Sequence, residues 1–400
     1  LDSLMPMRPC WVEIRTRSLE ENFRLLMSLA AGQAELLAIV KADAYGHSLE
    51  LCAPAAVRAG ARWLGVNSVE EGVAARALCS ESGILVIGGV FAGQGAAVVE
   101  HGLTAVVWEP GQLDELEGAA RAAGAGTGSV PVHLEIDTGM SRQGVSPDGL
   151  ASFLARLGPG SALRLEGVMT HLFAADEADG RVTSEQLARL DQAMRQIETF
   201  GLYPDWLNVG NSAALLSGEA GRIEALAGRH GMKAMLRPGL ALYGLAPRFQ
   251  PCFEPGTEPE GVDTAIAALQ PVLSWKTQVV GVRAVPAGAV VGYNGTFVAT
   301  EPMRLALLAA GYADGLDRRL GNRFSLLVRG QRAPLVGRIS MDQAVVDVTE
   351  IAGVEAGDEV VILGEQGGET ITAFDLAEAA GTIPWEVFTR IGARVRRVAV

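Results

Sequence analysis

Lys41 closes a short apolar run, 36–40, and is followed by Ala42-Asp43-Ala44-Tyr45-Gly46-His47. A run of that length bounded by polar and small residues has the form of a buried strand, so the lysine stands at a strand end. Partial burial disfavours an ammonium, and a neutral amine attacks carbonyl carbon; the chemistry on offer is Schiff-base formation. A lysine at a strand terminus is ordinarily a surface residue, and it is Asp43, Tyr45 and His47 that single this one out. Two further segments have the make-up of anion-binding loops. Gly210-Asn211-Ser212 offers a hydroxyl, and Arg237-Pro238-Gly239-Leu240 offers backbone N–H groups that Gly239 leaves open to close approach. Taken singly, Asn-Ser before a helix is an N-cap and Arg-Pro-Gly a turn.

The elements that must carry these residues alternate. After an opening strand at 10–15 and a helix at 18–29, short apolar runs recur at 36–40, 63–66, 84–87, 105–108, 130–136, 165–169, 206–209 and 234–236. Stretches of helical composition lie among them at 50–59, 69–78, 112–123 and 184–199. Eight strands alternating with helices predict an α/β chain whose N-terminal part, 12–246, is a closed (β/α)8 barrel. Such barrels place the site at the C-terminal ends of the strands and often bind phosphate after strands seven and eight, which here are followed by Asn211-Ser212 and Arg237-Pro238-Gly239. The residues expected to face one cleft are Lys41, Tyr45, Asp137, Arg142, His171, Asn211, Ser212 and Arg237. Beyond Tyr243 the alternation stops, and 247–267 reads as an interdomain linker. Short runs at 275–282, 289–292, 305–308, 324–328, 345–348 and 359–363, with one helix at 373–380, predict a C-terminal mainly β domain over 268–400. The strand within 1–15 is free to pack with that domain.

A chain of 400 residues, 49% hydrophobic, buries a large core and is no single small module. The net charge of −13 opposes a nucleic-acid footprint, and the short cluster Arg394, Arg396, Arg397 does not reverse it. Cys10, Cys52, Cys79 and Cys252 form no Cys-x-x-Cys pair, so neither a metal site nor a disulfide framework is expected. No apolar run approaches the roughly 20 residues of a membrane helix, and 1–9 lacks a secretory core. A cytoplasmic protein is expected.

The ten residues 38–47 closely resemble the pyridoxal-phosphate attachment segment of bacterial alanine racemases. Further matching motifs follow in order: Asp137-Thr138-Gly139-Met140-x-Arg142, Thr170-His171, Asn211-Ser212-Ala213-Ala214, Arg237-x-Gly239-x-x-x-Tyr243-Gly244, Gly311-Tyr312-Ala313-Asp314-Gly315 and Gly337-Arg338-Ile339-x-Met341-Asp342. The resemblance runs from about residue 11 to 397 and covers both parts of the chain. It implies an isomerase that interconverts L- and D-alanine on pyridoxal 5'-phosphate, as a homodimer with composite sites. Lys41 would hold the cofactor and act as one acid/base group at the α-carbon. Tyr293, in Val291-Gly292-Tyr293-Asn294-Gly295, would be the other, from the partner subunit, because a proton removed from one face must be returned to the other. A free tyrosine titrates near 10, and the resemblance implies that His171, backed by Arg237, brings it down. Arg237 would also meet the pyridine nitrogen, where a guanidinium only donates. The ring is then a weaker electron sink, which suits racemisation. Tyr45 would donate to the phosphate, with Asn211, Ser212, Gly239 and Leu240 around it. Arg142 would hold the cofactor phenolic oxygen and the substrate carboxylate, Met341 would present its backbone N–H to that carboxylate, and Tyr312 would line the entrance.

Two positions depart from the family pattern. Glu135 stands where the family commonly has a carbamylated lysine, which implies that it supplies the same negative charge permanently, within about 4 Å of Arg142. Ala393 stands near a position where many members carry a tyrosine, which implies one phosphate donor fewer and a wider entrance that admits serine or larger amino acids. A broad-specificity racemase therefore stays open beside alanine racemase. A non-catalytic pyridoxal-phosphate carrier is the reading from another class, and Tyr293 with the C-terminal domain argues against it.

Overall fold

The computed structural model describes residues 8–30, 34–249 and 262–400. By its internal contacts the chain divides into Arg17–Ala44 with Leu49–Pro271, and Leu1–Thr16 with Tyr45–Ser48 and Val272–Val400. In the first of these units eight parallel strands close into a barrel. Numbered in chain order after the N-terminal strand β1 (Cys10–Ile14), they are β2 (Glu35–Ile39), β3 (Trp63–Val66), β4 (Gly83–Val86), β5 (Thr104–Val107), β6 (Val130–Glu135), β7 (Leu163–Met169), β8 (Trp206–Asn208) and β9 (Lys233–Leu236). Closure is made by β2 beside β9, with Glu35 opposite Met235 and Leu36 opposite Leu236.

Parallel strands covered on both faces read as continuous apolar runs, and every residue of β2 is buried. The interior also carries polar side chains. His133 of β6 is fully buried. It fits because β7 has a glycine opposite it: a Cβ on Gly167 would lie 2.5 Å from the imidazole Cε1. Outside the barrel, helices Thr16–Leu29, Leu49–Arg58, Val69–Leu78, Pro110–Ala122 and Arg181–Thr199 occupy the expected stretches. The helix at Pro110 starts ahead of expectation because proline is at home in a first turn, where its missing N–H costs nothing. Helix Ala220–Arg229, not named individually from the sequence, lies between β8 and β9, where the alternation calls for one.

The other unit is built on the long strand Leu273–Val285, which pairs antiparallel with β1, Met303–Leu308 and Glu359–Gln366. The C-terminal strand Arg396–Ala399 joins β1 in parallel, so both ends of the described chain lie in one sheet. Helix Ala373–Ala380 lies where the sequence puts it. One late helix was expected, and there is a second, Pro384–Thr389, with its proline in the first turn rather than acting as a breaker. The stretch read as a linker, 247–267, lies mostly outside the described residues; its described end belongs to helix Val262–Ala268.

Candidate active site

The lysine after β2 is followed by an unusual backbone. Ala42, Asp43, Ala44 and Tyr45 all have φ between 52° and 55°, a left-handed turn made without glycine. Such a conformation costs roughly 1–2 kcal/mol for each L-residue, so it needs outside support. Glu71 supplies it: its carboxylate accepts from Ala42 N at 2.8 Å and Asn67 N at 2.7 Å. Asp43 Oδ1 accepts from Leu49 N at 2.7 Å, tying the turn to the next helix, and Ala44 N donates to Val40 O at 2.9 Å. Lys41 is thereby fixed at the strand end. Burial, then the positive fields of Arg142 and Arg237, hold its ammonium below the usual lysine range, against the opposing field of Glu71.

Arg237 follows β9 and is itself buried. One terminal nitrogen, Nη1, donates to Asn208 O at 2.7 Å and Asn208 Oδ1 at 2.6 Å. The other, Nη2, donates to Thr170 O at 2.9 Å and lies 3.3 Å from His171 Nδ1. Burial pushes the guanidinium down to about 10, where it is still charged at neutral pH. A guanidinium only donates, so His171 Nδ1 accepts and the ring proton sits on Nε2. Burial, with the fields of Arg237, Arg142 and Lys41, pushes His171 down to about 3. It is a neutral imidazole whose remaining N–H points away from Arg237. The arginine Nε has no hydrogen bond among the described residues.

The two loops read as anion-binding meet each other. Ser212 Oγ accepts from Gly239 N at 3.0 Å and Ala241 N at 3.2 Å, so the Gly239 N–H is engaged within the protein while the serine proton is left to donate. Asn211 caps its short helix through Oδ1 to Ala214 N at 3.1 Å and donates Nδ2 to Leu172 O at 3.0 Å. Its side chain shapes the loop. Tyr45 is pushed up to about 12 by burial and stays a protonated donor.

Arg142 sits in the loop after β6 and makes no hydrogen bond or ion pair among the described residues. The expected Glu135–Arg142 pair does not form. The Glu135 carboxylate instead accepts from the Gln143 side-chain amide. Burial raises the Glu135 carboxyl above its usual range, opposed by the Gln143 bond and by the fields of Arg237 and Arg142. Asp137 also turns to its own loop, its Oδ1 accepting from Gly139 N at 2.9 Å and Ser141 N at 3.1 Å. Glu71, Asn208 and Gln143 had not been singled out. Only Asn208 carried a signal, as a polar residue ending an apolar strand.

Tyr293, Tyr312 and Met341 lie in the mainly β unit with exposed side chains, at 67%, 43% and 54% exposure. Tyr293 opens a tight turn between the paired strands Val290–Val291 and Phe297–Val298. Tyr312 N donates to Ser340 O and Ala313 N to Met341 O, each at 3.0 Å, so Tyr312 and Met341 share one edge. Beneath it the buried Asp314 carboxylate is bound by Arg8, by Arg394 at 2.8 Å and by Gly311 N at 2.8 Å.

A closed barrel with a lysine at the end of its first strand, continued by a mainly β unit, defines a class of two-part barrel proteins. The family model for the alanine racemase N-terminal domain matches residues 14–247, and that for the C-terminal domain matches 272–399. The alanine racemase of Symbiobacterium thermophilum is 38% identical over 393 residues, covering 98% of this chain and 97% of that one. The alanine racemase from the D-cycloserine producer Streptomyces lavendulae superposes with a TM-score of 0.86 at 34% identity, covering 99% and 98% of the two chains. That from Bartonella henselae, solved with covalently bound pyridoxal phosphate, superposes with a TM-score of 0.80 at 25% identity over 98% and 99%. The chain belongs to the alanine racemase family and is an isomerase. No helix among the described residues is long and apolar enough to cross a membrane.

Proposed function

We propose that the chain racemises alanine by a two-base mechanism on pyridoxal 5'-phosphate, as a cytoplasmic homodimer in which each site takes residues from both subunits. The donor set fits that cofactor on three counts: an amine of lowered basicity at Lys41, an unengaged Arg237 Nε for a ring nitrogen, and the Ser212 hydroxyl with Tyr45 and the Leu240 backbone for a phosphate. When bound, pyridoxal phosphate supplies a carbonyl that takes an amine and a ring that draws electrons from the α-carbon. Lys41 holds the cofactor and then carries a proton to or from one face of the α-carbon. Arg142 binds the substrate carboxylate, helped by the Met341 backbone N–H of the partner subunit, while Tyr312 walls the entrance. Tyr293 of the partner subunit serves the opposite face.

The observation that carries this reading is the Arg237–His171 contact. A histidine whose Nδ1 is occupied by a permanent donor can only offer Nε2–H, and that proton stabilises a phenolate. The experiment is loss of optical rotation from a panel of L-amino acids incubated with the cofactor-loaded protein. Alanine is expected to racemise fastest, with slower turnover of serine on the expectation that Ala393, exposed and small where many members carry a tyrosine, widens the entrance. Activity confined to alanine would remove the wider entrance. No activity on alanine would remove the reading.

A further inference from the structure

The loop that carries Arg142 is tied at its base and along its length. Val145 N donates to Glu135 O at 2.8 Å and Asp137 N to Val145 O at 3.0 Å, closing residues 137–145 into a tight excursion from β6. Asp137 organises the first half from within. Thr138 is fixed from outside, its carbonyl by Arg189 Nη1 at 2.7 Å and its hydroxyl by Gln186 Nε2 at 2.9 Å. The second half returns through Gly144 at φ 110°, where a Cβ would lie 2.6 Å from Asp137 N, so no other residue fits there.

Arg142 is held by none of these bonds. Its neighbour Gln143 is, and it turns back into the barrel: the amide donates to the Glu135 carboxylate and lies 3.4 Å from Ile87 O at the end of β4. Glu135, Asp137, Arg142, Gln143, Thr170 and His171 line one recess. The side chain before Gly144 is therefore anchored to Glu135, which lines the recess, and to the end of β4, and Arg142 is one residue away.

We propose that Glu135 and Gln143 are a positioning pair that sets Arg142 for its anion through the loop, without touching substrate. The inference rests on the assignment of Arg142 to the substrate carboxylate. A free loop spreads Arg142 over many placements, and misplacement by about 1 Å is enough to cost tenfold or more in binding or rate.

Propionate, a carboxylate without the amine and so unable to react, is the probe. Its binding is read from the visible band of the cofactor-loaded protein, beside KM and kcat for alanine. Gln143→Glu sets carboxylate against carboxylate; it is expected to weaken propionate and raise KM about tenfold while kcat changes less than about threefold. Adding Glu135→Gln restores donor and acceptor with their ends exchanged, and is expected to bring both constants back to within about threefold of the parent. If Gln143→Glu does not fold, Gln143→Ala removes the donor alone and is expected to weaken propionate in the same direction. Propionate binding equal to the parent in either single variant overturns the pair, and so does a double exchange that recovers nothing. Arg142→Ala separates the two levels: unchanged propionate binding there overturns the assignment of Arg142 itself, whereas lost binding there with intact binding in the Gln143 variants overturns only the pair.

Discussion

The residues at the mouth of the barrel and those on the edge of the β unit are held in opposite ways. Around Lys41 and Arg237 the side chains themselves are committed: Arg237 has four protein acceptors, His171 one of them, and Glu71 clamps the turn after the lysine. At Tyr293, Tyr312 and Met341 the backbone is fixed while the side chains are largely exposed. The contrast teaches where each half of the chemistry is completed. On the proposed dimeric reading, the barrel sets charge and tautomer within one subunit, whereas the exposed edge acts only against a second chain.

The sharpest way to break that contrast lies in the barrel. Lys41→Ala is expected to abolish the visible absorbance of the bound cofactor and to lower activity by roughly a thousandfold or more, since it removes both attachment and one proton carrier. Retention of the absorbance band would move the attachment elsewhere. Less drastic is Glu71→Ala. It leaves the Ala42 and Asn67 N–H groups without their acceptor and lets the left-handed turn relax, with an expected loss of about 1–3 kcal/mol in urea unfolding. A value inside about 0.5 kcal/mol, the scatter of a neutral surface change, would mean that the turn holds itself.

A smaller effect concerns acid. His171 sits at about 3 in the fold against an ordinary value near 6.5. Above 6.5 both states are neutral and the group contributes nothing to pH dependence. As pH falls below 6.5 the unfolded chain takes a proton that the folded chain refuses, and stability is lost down to about 3. His171→Asn should therefore flatten the loss of stability between pH 6.5 and pH 4 in urea titrations. An unchanged slope would contradict a neutral His171.

Much of this was legible from residue types. A parallel barrel strand is apolar on both faces, so 63–66 and the other runs announced themselves, and Lys41 was marked by where its run ended. The left-handed turn was not legible, because Ala42-Asp43-Ala44-Tyr45 contains no glycine and, of the four, only Asp43 is of a type that visits positive φ with any frequency. It is held by a glutamate from another helix together with the Asp43–Leu49 and Ala44–Val40 bonds. Glu135 shows the same limit from another side. Its negative charge and its need for a partner were legible as a departure from the family pattern, but the choice of Gln143 over Arg142 depends on how the loop returns through Gly144. The second late helix, Pro384–Thr389, was not named from the sequence; Pro384 opens it because a first turn has no use for its missing N–H.

The central claim is that a working site needs the lysine of one subunit and the tyrosine of another. Tyr293→Phe is expected to keep the cofactor absorbance and lose racemisation, as Lys41→Ala loses both. Mixing the two variants under conditions that exchange subunits makes hybrid dimers in which one site has both native residues. By random pairing about half the dimers are hybrid with one intact site of two, so activity should rise to about one quarter of the parent's. A mixture that shows only the sum of the two separate variants after subunit exchange, or a Tyr293→Phe protein that racemises alanine at the parent rate by itself, would contradict the account.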